Sequence, residues 1–153
     1  MESRIDYKQT SPDGVKAMWG LEHHVHHCGL EPSLLELVKT RASQINGCAW
    51  CIDMHTKDAR AAGESEQRLY ALNAWRETPF YSERERAALT WTEAVTLVAE
   101  TRVPDPVYEF ARKHFTPPEL VNLTLAVIAI NGWNRLAIAF RAVPGTYQAP
   151  APL

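Results

Sequence analysis

Several kinds of signal are missing from this chain. No segment alternates apolar and polar residues over the length of a strand. No excess of one charge exists either: 16 basic residues stand against 18 acidic ones, a formal net charge of -2, which excludes the electrostatic footprint of a nucleic-acid or anionic-membrane binder. No run approaches the length of a membrane span, and the opening MESRIDYKQTSPDG lacks the apolar core of a signal peptide, so a cytoplasmic location is expected. Repeats, low-complexity tracts and linkers are absent, and residues 1–153 read as one domain. Cysteine is scarce: there are three, an odd number, in a chain long enough to bury a core without staples. In a reducing compartment, a closely spaced cysteine pair points to catalysis or metal binding rather than to a permanent crosslink.

What the chain does have is helix punctuation. Ser11-Pro12-Asp13 opens a helix that carries Val15, Met18, Leu21, Val25 and Cys28 at steps of three and four and stops at Gly29. Ser33 and Glu36 stand at capping-box spacing and open a second helix through Leu34, Val38, Ala42 and Ile45, which Asn46-Gly47 ends. A third begins at the cysteines and runs to about Gly63. Ser65 caps a short helix through Leu69, Leu72 and Trp75 that Thr78-Pro79 interrupts, and Ser82 with Glu85 forms a capping box ahead of Ala88, Trp91, Val95 and Val98. Asp105-Pro106 caps a short helix to about Phe115. Thr116-Pro117-Pro118-Glu119 then opens the longest helix, through Leu123, Ala126, Val127, Ile130, Trp133, Leu136 and Phe140. Its middle, LTLAVIAINGWNRLAIAF, is apolar on nearly every side and predicts a place at the centre of a bundle or in a subunit interface. Asn131, Asn134 and Arg135 interrupt it, and are read as satisfying backbone groups or bridging subunits rather than lining a pocket. The proline-rich tail AVPGTYQAPAPL is expected to be extended. The fold class that follows is all-α, a single-domain helical bundle.

The chemistry concentrates in INGCAWCIDMH, residues 45–55. Asn46-Gly47 ends one helix and Cys48 begins the next, so both sulfurs fall in a first turn, where unpaired N–H groups and the helix dipole favour thiolate over thiol. Residues 48, 51 and 55 differ by three and four, which aligns Cys48, Cys51 and His55 on one helix face. The two-residue gap lets the sulfurs close a disulfide, giving an attacking cysteine a resolving partner. A closed zinc site needs four ligands, and no second CxxC or HxxxH is placed to complete one. Haem attachment needs a histidine directly after the second cysteine, where Ile52 stands. The pattern reads as a redox centre. Trp50, Trp133 and Phe140 are candidates for an apolar wall around an organic substrate, although aromatics at helical spacing are commonly plain core.

The other concentration of ligand-type residues is HHVHHC, residues 23–28. With Met18, Leu21, Val25 and Cys28 facing the core, His23, His26 and His27 point to solvent and His24 lies near the boundary. The cluster reads as a solvated helix end or an oligomer contact, and Cys28 as a small buried hydrophobe.

Glu36-Leu37-Val38, then Asn46-Gly47-Cys48 with Cys48 twelve positions after the glutamate, then Cys51 and His55, resembles the alkylhydroperoxidase D-like branch of the carboxymuconolactone decarboxylase family, with a motif core at residues 33–63. The resemblance implies an all-helical bundle of about six to seven helices that assembles as homotrimers or homohexamers. It also implies a thiol-dependent peroxidase using no bound cofactor and no metal, with a hydroperoxide substrate and an external dithiol or thiol-protein reductant. Carried over residue by residue, Cys51 attacks the hydroperoxide, Cys48 resolves from the exposed end, and His55 with Glu36 relays protons. Decarboxylase members typically lack the cysteine pair, which argues against lactone decarboxylation. Better-known peroxidase members carry a second histidine between the cysteines, where this chain has Ala49-Trp50. A protein disulfide oxidoreductase and a non-enzymatic, metal-binding helical assembly protein are the competing expectations.

Overall fold

A computed structural model describes residues 2–150, which form nine α-helices with no strand among the described residues. They are α1 (Tyr7–Thr10), α2 (Pro12–His27), α3 (Pro32–Asn46), α4 (Ala49–Ala61), α5 (Glu66–Ala71), α6 (Glu83–Thr96), α7 (Val98–Thr101), α8 (Asp105–His114) and α9 (Pro117–Ala139), with a 3-10 segment, Leu72–Glu77, continuing α5. The count exceeds the six to seven expected. Two of the additions, α1 and α7, are single turns of four residues that bury no side chain, so apolar periodicity carries no trace of them.

Local capping explains most of the boundaries. The boxes Ser82/Glu85 and Thr116/Glu119 both form reciprocally, and Ser65 accepts the Arg68 N–H at the start of α5. The box expected at Ser33/Glu36 does not form. Pro32 takes the first helical position, where its fixed φ suits the helix and its missing N–H costs nothing, and this draws Ser33 inside α3. The residue left at the cap, Glu31, spends its carboxylate on Arg84 at 2.8 and 3.1 Å. The start of α8 shifts in the same way: Pro104 is the cap and Asp105 the first helical residue.

Helix α9 packs against α2, α3, α4, α6 and α8. Leu120, Leu123, Val127, Ile130 and Ala137 are buried along it, while Val121, Ile128 and Ile138 are exposed. By length and composition this helix is apolar enough to cross a membrane, contrary to the expectation that no run approaches that length. Its packing marks it as a core helix. Its polar interruptions bond chiefly to other side chains, and not only to backbone groups as expected: Asn46 Nδ2 donates to Asn131 Oδ1 (3.0 Å) and Asn134 Oδ1 (2.8 Å). Asn134 Nδ2 donates to Ser43 Oγ (3.0 Å), and Asn131 Nδ2 to Thr96 Oγ1 (3.1 Å). This amide cluster ties the end of α3 to α6 and α9.

The N-terminus of α9 supplies a pH-dependent share of stability. The Glu119 carboxyl is pushed down to about 2, first by the backbone N–H of Thr116, then by the Thr116 hydroxyl and Arg84. A carboxyl lowered in the folded state stabilises fully above its ordinary value of 4.5, and the contribution is lost as pH falls toward about 2. Glu119→Gln is therefore expected to cost roughly 1 kcal/mol near neutrality. The difference from the native chain should vanish at the acid end of a thermal-denaturation series followed by circular dichroism. A constant difference across the series would contradict this assignment.

Candidate active site

The site begins with a chain reversal. Gly47 takes φ 69° and ψ 32°, a left-handed conformation open to a residue without Cβ, and its N–H closes α3 on the Gln44 carbonyl. Cys48 N–H then bonds Ser43 O at 2.9 Å, and Cys48 becomes the cap of α4. Cys48 and Cys51 form a disulfide with their Cα atoms 5.4 Å apart. The Cys48 sulfur also accepts the Cys51 N–H at 3.4 Å, one of the unpaired donors of the first turn.

Neither cysteine is at an exposed end: both are 1% accessible, which corrects the expectation for Cys48. Cys48 packs with Ala42, Ile130 and Ala137 because α9 crosses the α3–α4 turn. Cys51, in contrast, opens on a cavity of about 230 Å³, and Cys48 does not line it. Trp19, Trp50, Trp133, Tyr7 and Tyr147 wall this space. Trp50 and Trp133 thus stand where expected. Phe140 does not: it packs against Tyr7, ring centroids 5.7 Å apart, and does not line the cavity.

Glu36 and His55 line the same cavity as Cys51, and His55 Nδ1 lies 2.8 Å from Glu36 Oε2. Because Ser33 does not hold Glu36 in a cap, the carboxylate is free to make this bond across the α3–α4 pair. Three of the four expected site residues, Cys51, His55 and Glu36, therefore meet on one cavity between α3 and α4, and the fourth, Cys48, is bonded to Cys51 behind it.

The structure adds groups that the sequence reading missed. Lys39, 1% exposed, is ion-paired with the buried Glu22, whose other oxygen accepts Trp133 Nε1–H at 3.0 Å. Burial works to raise the Glu22 carboxyl, but the charge and hydrogen bond of Lys39, with Trp133, hold it below the ordinary carboxylate range. His26 stands 3.2 Å from the same carboxylate, and burial together with the Lys39 charge lowers its pKa. The signal for Glu22 was present: Val15, Met18, Glu22 and Val25 keep core spacing, as do Leu35, Lys39 and Ala42. The remaining histidines behave as expected, exposed on the end of α2, with His24 Nε2 3.1 Å from Asn122 Oδ1 and His27 bonded to the His23 carbonyl. Cys28 is partly buried against the core.

Asp58 also lines the cavity, and single ligand atoms of Glu36, His55 and Asp58 lie within 4.8 Å of one another. This is the grouping among the described residues with the spacing to hold a metal ion, away from the histidine-rich segment. Burial, followed by the nearby Glu36 charge, raises the Asp58 carboxyl. Tyr147 donates its hydroxyl to Asp58 at 2.8 Å, and its own pKa is pushed up to about 12, by burial first and then by Asp58.

An all-helical bundle with a helix-capping CxxC disulfide and a Glu–His pair on one cavity defines a recognisable class of protein. Residues 12–94 match the carboxymuconolactone decarboxylase family, to which the chain belongs, in its AhpD-like branch. It is 46% identical to the uncharacterized protein YdfG of Bacillus subtilis over 139 residues, 91% of this chain and 95% of that protein. A crystal structure from Agrobacterium tumefaciens, of a protein of unknown function with a suggested AhpD antioxidant-defence role, is 47% identical, with a TM-score of 0.92 over 95% of this chain and all of that one. The AhpD core of a peroxidase-related protein from Ralstonia eutropha, at 19% identity, shares the fold with a TM-score of 0.80 over 91% of this chain and 74% of its own.

The buried ion pair yields a test of the cavity wall. Lys39→Met leaves Glu22 charged and uncompensated and is expected to cost about 3–5 kcal/mol in urea unfolding. Lys39→Met combined with Glu22→Leu should be markedly less destabilised. Equal losses would mean the pair is not coupled.

Proposed function

We propose that the protein is a thiol-dependent peroxidase that reduces hydroperoxides through a Cys48–Cys51 dithiol/disulfide cycle. The observation that carries this reading is that Cys51 and the Glu36–His55 pair open on one cavity while Cys48 lies behind Cys51, bonded to it. In the reduced protein the Cys51 thiolate attacks the terminal peroxide oxygen. An S–O bond forms, the O–O bond breaks, and the departing alkoxide takes a proton from His55, leaving Cys51 as a sulfenic acid. Glu36 accepts the Nδ1–H of His55, which orients the ring and stabilises its charged form. Cys48 then attacks the Cys51 sulfur: the S–S bond forms, the S–O bond breaks, and water leaves. The N–H of Cys51 that points at the Cys48 sulfur lowers the cost of the Cys48 thiolate. An external dithiol, supplied by a cytoplasmic setting, returns both sulfurs to thiols.

The cavity admits an organic hydroperoxide through its aromatic wall, and no resident cofactor enters the scheme. Assembly into homotrimers or homohexamers is part of the same proposal, and the exposed Val121, Ile128 and Ile138 of α9 support it; sedimentation velocity tests it. A protein disulfide as the true substrate fits less well, because both sulfurs are buried. A second reading rests on the Glu36–His55–Asp58 grouping: stoichiometric zinc in protein purified without added metal would favour metal binding over redox chemistry.

With cumene hydroperoxide as substrate, Cys51→Ser is expected to abolish turnover. Cys48→Ser should leave a sulfenic acid that dimedone traps, seen by mass spectrometry. His55→Gln should slow the peroxide step by roughly 10²–10⁴-fold, the usual worth of a positioned proton carrier. Native-rate consumption by Cys51→Ser would overturn the mechanism.

A further inference from the structure

The path of the C-terminal segment raises a question of access. Residues 143–150 run back along α4 instead of out into solvent. Gly145 N–H donates to Asp53 Oδ2 at 3.0 Å, Lys57 Nζ donates to the Tyr147 carbonyl at 3.0 Å, and the Tyr147 hydroxyl donates to Asp58 Oδ1 at 2.8 Å. Asp53 and Lys57 are themselves paired at 2.9 Å. Between residues 143 and 148, Tyr147 alone is not exposed. Its ring meets that of Trp50 edge-on, centroids 6.3 Å apart, and lines the cavity beside Cys51. The disulfide below is 1% accessible at both residues.

Thiol–disulfide exchange requires an incoming thiolate to reach one sulfur. A cavity of about 230 Å³ takes a small dithiol, but not the face of a protein that carries one. We infer that Tyr147 is a specificity-determining, positioning residue. Docked on Asp58 and against Trp50, it holds the 143–150 segment as a strap over Cys51, so a protein-borne dithiol reaches the disulfide only when the strap lifts, whereas small thiols pass through the cavity. The inference rests on the peroxidase reading in one respect, that the disulfide is reduced once per cycle. In that step the reductant's thiolate attacks Cys51 Sγ, the S–S bond breaks, and Cys48 leaves as the thiolate that the Cys51 N–H faces. The reductant's second thiolate then attacks its own sulfur in the mixed disulfide and releases Cys51. Two electrons and two protons pass to the cysteine pair, and the reductant departs as a disulfide.

The test reduces oxidised protein without peroxide, using either a thioredoxin-fold CxxC protein or dithiothreitol, and follows tryptophan fluorescence in stopped flow. Tyr147→Phe loses one hydrogen bond and keeps the ring, so its reduction by the protein dithiol should be roughly 5–10-fold faster than native, with the dithiothreitol rate changing less than about twofold. Tyr147→Ala should be faster again, and Lys57→Met, which removes an anchor without touching the ring, should move the same way. A ratio of the two rates that stays at its native value in Tyr147→Phe and Lys57→Met overturns the inference, whether or not Tyr147→Ala folds. Because no peroxide is present, a protein inactive on hydroperoxides leaves this result intact, and an active peroxidase with an unchanged ratio loses only the strap.

Discussion

Gly47 holds the register between α3 and α4, and the site follows from that register. A side chain in its left-handed conformation costs roughly 1–2 kcal/mol, so the turn depends on the missing Cβ. The reversal brings the start of α3 alongside the second turn of α4, and this is why Glu36 and His55 meet although 19 residues separate them. Sliding the sequence of α4 by one residue along its helix would turn each of its side chains by about 100° around the axis. His55 would then face away from Glu36, and Cys51 away from the cavity. The same turn makes Cys48 a helix cap, so the geometry that pairs the carboxylate and imidazole also points a backbone donor at the sulfur.

Around this register the cavity combines two solvents. Its wall is aromatic, yet it contains the paired Glu22 and Lys39. Such a buried pair gives little net stability beside apolar residues of the same volume. What it does supply is a fixed dipole on the cavity that Cys51 lines, held by a tryptophan N–H on one side and approached by a histidine on the other.

The sequence discloses what is local. Reciprocal caps at Ser82 and Thr116 involve residues three apart, and the spacing of Cys48, Cys51 and His55 is a property of one helix, so both survive into the structure. Ser33 and Glu36 have the same cap spacing, but Pro32 starts the helix two residues earlier, and a competing local rule wins. The resemblance to a family, rather than helical phase, is what singles out Glu36. Groups joined across long separations leave no local trace: Trp133 reaches Glu22 over 111 residues, and Tyr147 reaches Asp58 over 89. Burial of Cys48 belongs to the same class, since α9 covers it and nothing near residue 48 records that crossing.

The amide of Asn46 has a chemical consequence. Asparagine followed by glycine is the dipeptide whose amide hydrolyses most readily, and here it stands directly before the turn that sets the register. The intact side chain donates to Asn131 and Asn134. Deamidation would put an acceptor-only carboxylate against two amide oxygens. The ageing of one half-buried amide, with no cysteine touched, would then loosen the joint between α3 and α9 on which the redox pair is mounted.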